Sequence, residues 1–398
     1  MNLRTTRIPY RLFWVNLIFC TLYSSFRYPF RMGTSTTSPT YSDTPPAIQA
    51  GKFIIVLLLC SLSGLWTMIR PVKVKHAAIF PIVLFLLAFP LCKALLNYNT
   101  AYIDMTFWPM AALALALSVR KITTSSLNAF MSFLLFYSLI TNAIEIFLFI
   151  AIGRLPEEAY ANSIVVRFGA WLDAPNDFAC ILFLLMGWAF FRFHGVMRIL
   201  IEASLITCLI LTESLTAYGF FILLLIAVGI NRALRNYHSM FLVTAIFVSV
   251  LLLFLFLPTA DLVNTLMLNK AGSISDHLSS TDTWSGNWRT WLFIGSSTFQ
   301  HYENWWLSSL INFGIIWFVL CTIAMTGLLS SLWNRLRIST GRTDKAVLSG
   351  LFLFSVYCVI GSVNLPLLMA FPVSFLFYLF CFLVLFDKLD YESMTRNG

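Results

Sequence analysis

What most constrains this chain is a recurring pattern. Apolar runs of roughly 16 to 24 residues follow one another along the sequence, each long enough as a helix to cross a hydrocarbon layer of about 30 Å. With 59% of its 398 residues hydrophobic and 11% charged, no stretch between the runs can build a large soluble domain. Backbone polar groups in lipid must be satisfied within the protein, which admits helices or a closed barrel. The alternating pattern of barrel strands is absent. The sequence therefore predicts an all-α, polytopic helical bundle, with residues 1–398 forming a single transmembrane domain. The spans fall at 11–26, 51–69, 77–96, 103–119, 127–152, 178–193, 197–212, 216–230, 240–258, 304–332, 346–363 and 372–387. About twelve spans put both termini on the same side.

Charge orients this bundle. The connections on the terminal side carry Arg70, Lys73 and Lys75; Arg120 and Lys121; Arg192 and Arg198; Arg232 and Arg235; and Arg335, Arg337, Arg342 and Lys345. With the termini they hold about 18 of the 26 basic residues and only about four of the 17 acidic ones. Under the positive-inside rule this asymmetry places the termini in the cytoplasm and the opposite face in the periplasm or outside the cell. The same clusters account for the formal charge of +9, so no nucleic-acid partner is implied. Arg4, Arg7 and Arg11 precede an apolar stretch but no small-x-small cleavage site follows, so an uncleaved first helix is expected. The eight cysteines fall in or at the ends of spans, without metal-ligand or redox spacing, and are expected as buried thiols.

Three outer loops are long and polar: 27–50, 153–177 and 259–303. The first is rich in Ser, Thr and Pro and should be irregular. Loops of this length between packed spans usually form lids or sites, which makes this the expected active-site face. Arg167 and Arg289 each stand beside a membrane edge, where an arginine can reach the headgroups. A guanidinium also binds diphosphate oxygens bidentately, and two from separate loops could stabilise a diphosphate leaving group. Glu303 and His301 are helix-start and interfacial residues that could also take a proton from an attacking hydroxyl. Asp173, Asn176 and Asp177 frame a proline in LDAPNDFA, a common helix start, and could orient Arg167 or a sugar hydroxyl. Glu145 lies within a span, where ionisable groups are rare. Proton coupling and a structural hydrogen bond between helices both fit it. Glu202 sits about a turn from the cytoplasmic edge. Glu213, Ser214 and Thr216 form a polar turn on the outer face. Trp171, Trp284, Trp288, Trp291, Trp305 and Trp306 could anchor the interface or stack on sugar rings. The outer loops contain no DxD and no metal-ligand cluster.

Three segments together resemble the O-antigen polymerase and ligase superfamily of bacterial envelope glycan enzymes. RFGAWLDAPNDFA, from Arg167, resembles its arginine, glycine and Pro-Asn pattern entering a helix. LTESLTAYGFFILLL resembles its short Thr/Ser turn, with Leu215 where many members have an arginine. ENWWLSSLINFGIIW resembles the ligase pattern of His, then Asn, Ser or Gln, nine residues and Gly. Asn304 and Gly314 fit that pattern, whereas Glu303 replaces the histidine and Trp317 the final small residue, which points to a polymerase. The resemblance implies a fold of the GT-C type and a metal-independent glycosyltransferase with no cofactor. It would work on the periplasmic face of the bacterial inner membrane, in O-antigen (lipopolysaccharide) or exopolysaccharide synthesis. The donor would be an oligosaccharide on undecaprenyl diphosphate, and the acceptor a sugar hydroxyl of another lipid-linked repeat unit. A chain-length regulator and other envelope glycan assembly proteins would be partners. Arg167 and Arg289 would bind the diphosphate, Glu303 or His301 would act as base, and Asp173, Asn176, Asp177, Asn304 and Glu213 would shape the loops or bind sugar. The rivals are ligation of glycan to lipid A core and, from another class, a flippase for lipid-linked oligosaccharide. A flippase should line a deep cavity with charges from many spans.

Overall fold

A computed structural model describes residues 4–23, 46–69, 80–97, 101–152, 168–172, 174–233, 293–296, 304–363 and 365–391. Helices occupy eleven of the expected spans: α1 (Arg4–Leu22), α2 (Pro46–Ile69), α3 (Phe80–Asn97), α4 (Ala101–Ser118), α5 (Thr124–Ile152), α6 (Pro175–Arg192), α7 (Gly195–Leu211), α8 (Leu215–Ala233), α9 (Trp305–Ile338), α10 (Arg342–Gly361) and α11 (Val373–Leu385). The span expected at 240–258 lies outside the described residues. Four helices, α3, α5, α9 and α10, are long and apolar enough to cross a membrane, and α2, α4, α8 and α11 contain shorter apolar stretches. The protein is an all-α membrane protein. Because α2 begins at Pro46, helix takes in the last residues of the 27–50 stretch expected to be irregular.

Lipid gives helices no hydrophobic reason to associate, so close backbone approach through small residues matters more than in water. Helices α6 and α10 cross in this way. A Cβ at Gly187 would stand 2.7 Å from the Ser349 carbonyl oxygen, and one at Gly350 2.8 Å from that of Leu184. Above the crossing, Phe183 of α6, Phe220 of α8 and Tyr357 of α10 form a three-ring junction with centroids 4.5 to 5.1 Å apart. Seven of the eight cysteines are buried, and Cys92 is exposed. Large apolar side chains such as Leu58, Phe147 and Ile199 point outward instead, as a lipid-facing surface requires.

Among the described residues, the basic connections at 119–123, 192–198 and 335–345 lie with the 386–391 tail or with one another, while those at 70–75 and 235 lie outside the described residues. Two short strands, β1 (Ile122–Thr123) and β2 (Leu389–Asp390), pair in parallel, and the Lys388 ammonium donates to the Val119 carbonyl at 3.1 Å. Arg335 reaches Asp387 (3.1 Å), the Tyr391 hydroxyl (2.9 Å) and the Val384 carbonyl (3.0 Å). Thr124 donates to the buried Asp344 carboxylate at 2.5 Å. Arg342 donates to the carbonyls of Phe191 and Arg192. Desolvation lowers the Lys388 ammonium from 10.5 to about 8. Desolvation also raises the Tyr391 phenol above its usual range, against the pull of Arg335. Glu202, at the same end, pairs with Arg198 at 2.8 Å.

Candidate functional site

The opposite end of the bundle gathers the residues on which the functional expectations rest. Glu145, near the end of α5 and 1% exposed, accepts hydrogen bonds from the backbone N–H of Ala170 (2.8 Å) and Gly169 (3.4 Å). Of the two roles open to it, the structure displays the structural one, and its target is a loop rather than a neighbouring helix. The Trp171 indole donates to Ser138 at 3.2 Å, and Phe168 N–H donates to the Leu211 carbonyl at 3.0 Å. The loop is thereby fixed to both α5 and the end of α7. Ala170 holds a left-handed φ of 51°, a conformation that L residues avoid unless their surroundings impose it.

Helix α6 then opens with Pro175 in its first turn and the buried Asp177 two positions later. This is the end of a helix where proline and a carboxylate are both favoured. Glu213, in the turn from α7 to α8, has a φ of 47°, and Ser214 Oγ caps α8 by accepting from Ala217 N–H at 3.3 Å. Tyr357 of α10 stands beside Ser214 and within electrostatic range of Asp177. Asp177 and Ser214 therefore both lie near Tyr357 of α10.

The third segment is built around α9. Asn304 caps it, Oδ1 accepting from Leu307 N–H at 2.9 Å. The backbone N–H of Trp305 donates to the Ser362 carbonyl at 2.9 Å, which joins α9 to the same end of α10. The helix starts at Trp305, so Glu303 precedes the capping residue. The expected continuous span at 304–332 is broken. Gly314, with φ 80° and ψ 174°, divides α9 into two pieces.

Residues 293–296 fill this break. Ser296 N–H donates to the Ile311 carbonyl at 2.7 Å. Gly295, with φ 82°, faces Gly314. A Cβ on Gly295 would overlap the Asn312 carbonyl, and one on Gly314 would overlap that of Phe293. Lys93, near the end of α3 and 8% exposed, directs its ammonium into the same place. It donates to the carbonyls of Ile294 (2.8 Å), Ser296 (2.8 Å) and Asn312 (2.5 Å). The Tyr102 hydroxyl of α4 donates to the Ser296 carbonyl as well, at 3.2 Å. Next to the break lies an apolar cleft between α3, α4, α9 and α11, lined by Leu87, Met105, Trp305, Phe313, Trp317 and Phe382 among others.

Of the residues singled out from sequence, Asn176, Asp177, Glu213 and Asn304 lie in this region, while Arg167, Asp173, Arg289, His301 and Glu303 lie outside the described residues. Trp171 and Trp305 are 1% and 2% exposed, and Trp305 lines the apolar cleft. Lys93 escaped the sequence reading because its neighbours are apolar. The signal was the one that marked Glu145, an ionisable residue inside a span. Among the described residues, no three His, Cys, Asp or Glu side chains are grouped to hold a metal ion. In comparison with known proteins, no family model and no curated protein matches this chain.

Proposed function

We propose that this protein is a glycan polymerase of the bacterial inner membrane, with about twelve spans, cytoplasmic termini and a periplasmic active face. The donor is an oligosaccharide on undecaprenyl diphosphate, and the acceptor is a sugar hydroxyl of a second lipid-linked repeat unit. The acceptor oxygen attacks the anomeric carbon while the bond from that carbon to the diphosphate oxygen breaks. The diphosphate leaves with the electron pair, held by Arg167 and Arg289, and Glu303 (or His301) takes the hydroxyl proton.

One observation carries this reading. Each outer loop that contains a candidate arginine is tied down shortly after it by an intramembrane charge of the sign its backbone requires. Glu145 holds the N–H groups two and three positions beyond Arg167, and Lys93 holds carbonyls five and seven positions beyond Arg289. A loop that only connects two spans has no need of a buried charge, whose desolvation is costly. The apolar cleft beside α9 supports a lipid-borne substrate. A flippase is less favoured, because Lys93 and Glu145 are engaged with backbone groups.

The test is a glycan gel from cells whose sole copy carries Arg167→Ala, Arg289→Ala or Glu303→Gln, with insertion checked by immunoblot. Each variant should leave single repeat units on the surface and no long chains. Wild-type chain lengths in all three would refute the proposal. Long lipid-linked chains with no surface glycan would indicate a ligase, and units trapped on the inner leaflet a flippase.

A further inference from the structure

A lysine near the end of a membrane helix normally extends its stem and leaves the ammonium among the headgroups. Lys93 does the opposite, turning inward to a point where three main-chain carbonyls converge at 2.5 to 2.8 Å. An ammonium carries three N–H donors, and here each has an acceptor, the condition under which a buried charge is tolerated. The acceptors have a local origin. The break at Gly314 releases carbonyls of the preceding turn from helical pairing; Ile311 gives its carbonyl to Ser296 N–H and Asn312 to Lys93. The negative end of the helical piece that starts at Trp305 also faces the ammonium, and that dipole favours a cation. The Tyr102 ring lies 5.8 Å from Nζ and covers one side.

We infer that Lys93 is a positioning residue, a tethered cation seated in a cage of the Ile294, Ser296 and Asn312 carbonyls that locks the 293–296 segment onto the break in α9. The cage recognises an N–H-bearing monovalent ammonium and nothing larger. Removing the side chain empties it and leaves the carbonyls in place, so a small alkylammonium ion with its own donors will occupy it. That holding this segment serves glycan transfer rests on the function proposed above.

The experiment uses the full-length chain in detergent and follows thermal unfolding. Lys93→Ala should unfold at a lower temperature than wild type. Methylammonium chloride should raise the variant's midpoint saturably, and tetramethylammonium chloride, which has no N–H, should not. Wild type should respond equally to the two salts. If Lys93→Ala fails to fold, Lys93→Gln, with two donors left, is taken through the same titration. Equal effects of the two ions on the variant, or a variant as stable as wild type, would overturn the inference.

In cells, Lys93→Ala should reduce long-chain glycan about tenfold or more, the scale of lost charged hydrogen bonds, and methylammonium in the medium should restore it. Stability rescued by methylammonium while wild type itself makes no polymer would leave the cage standing and remove the polymerase reading alone.

Discussion

Replacing Glu145 tests how firmly the loop that follows Arg167 is held. The Glu145→Leu substitution removes both acceptors from a site that is 1% exposed, where water cannot take over. The 2.8 Å bond from Ala170 is charge-assisted and buried, worth about 2 kcal/mol, and the 3.4 Å bond from Gly169 is long, worth about 1 kcal/mol. The loop should therefore open more easily by about 3 kcal/mol, or about 100-fold at tenfold per 1.4 kcal/mol. Cys208 is a built-in reporter. It is buried, lies beside Glu145 and hydrogen-bonds to Asn142, three positions from Glu145 on α5. In a protein carrying Cys92→Ser, which removes the exposed thiol, maleimide labelling of Cys208 should accelerate by about two orders of magnitude wherever reclosing outpaces labelling. Glu145→Gln keeps one acceptor oxygen but loses the other and the charge, about 2 kcal/mol and about a 30-fold acceleration. A Leu variant labelled within twofold of the parent rate would show that the carboxylate does not hold the loop.

Two further outcomes follow from the packing and the basic end. Gly350→Ala places a Cβ 2.8 Å from the Leu184 carbonyl oxygen and should cost about 1 to 3 kcal/mol of overpacking, while Gly219→Ala, with nothing within 4 Å, should not destabilise. Thermal midpoints that fall equally in both would refute the close crossing of α6 and α10. The Lys388 ammonium is lowered to about 8 in the folded protein, so the unfolded chain binds more protons from about pH 8 to 10.5, and stability should rise with pH across that window. The raised Tyr391 phenol acts in reverse, and stability should fall once pH exceeds the usual tyrosine value of about 10. Thermal melts against pH should lose the rise in Lys388→Met and the fall in Tyr391→Phe.

Helix positions were legible because each rests on a local property, the length of an apolar run. Helix starts were legible where a polar residue precedes a run, as Asn304 does. The break in α9 was not. Gly219 and Gly327 also sit in apolar helices, and those helices continue through them, as α3 and α4 do through Pro90 and Pro109. What distinguishes Gly314 is a partner from another part of the chain: Gly295 against its backbone and Lys93 on the carbonyl it releases. No local pattern encodes that pairing. The role of Glu145 was equally hidden, since the N–H groups it receives belong to residues 24 and 25 positions away.

The junction of Val119 and Ile122 with the tail at Lys388 and Leu389 has a consequence for biosynthesis. The ammonium of Lys388 and its acceptor are 269 positions apart, so when α4 and α5 enter the membrane their connecting turn has an unmatched edge. It stays unmatched until α11 and the strand after it have been made. Insertion of the early helices and closure of the basic end are therefore separate events in time, the second awaiting synthesis of Lys388 and Leu389. A nascent chain arrested before Lys388 would carry its helices yet lack the strand that fastens the first half of the molecule to the second.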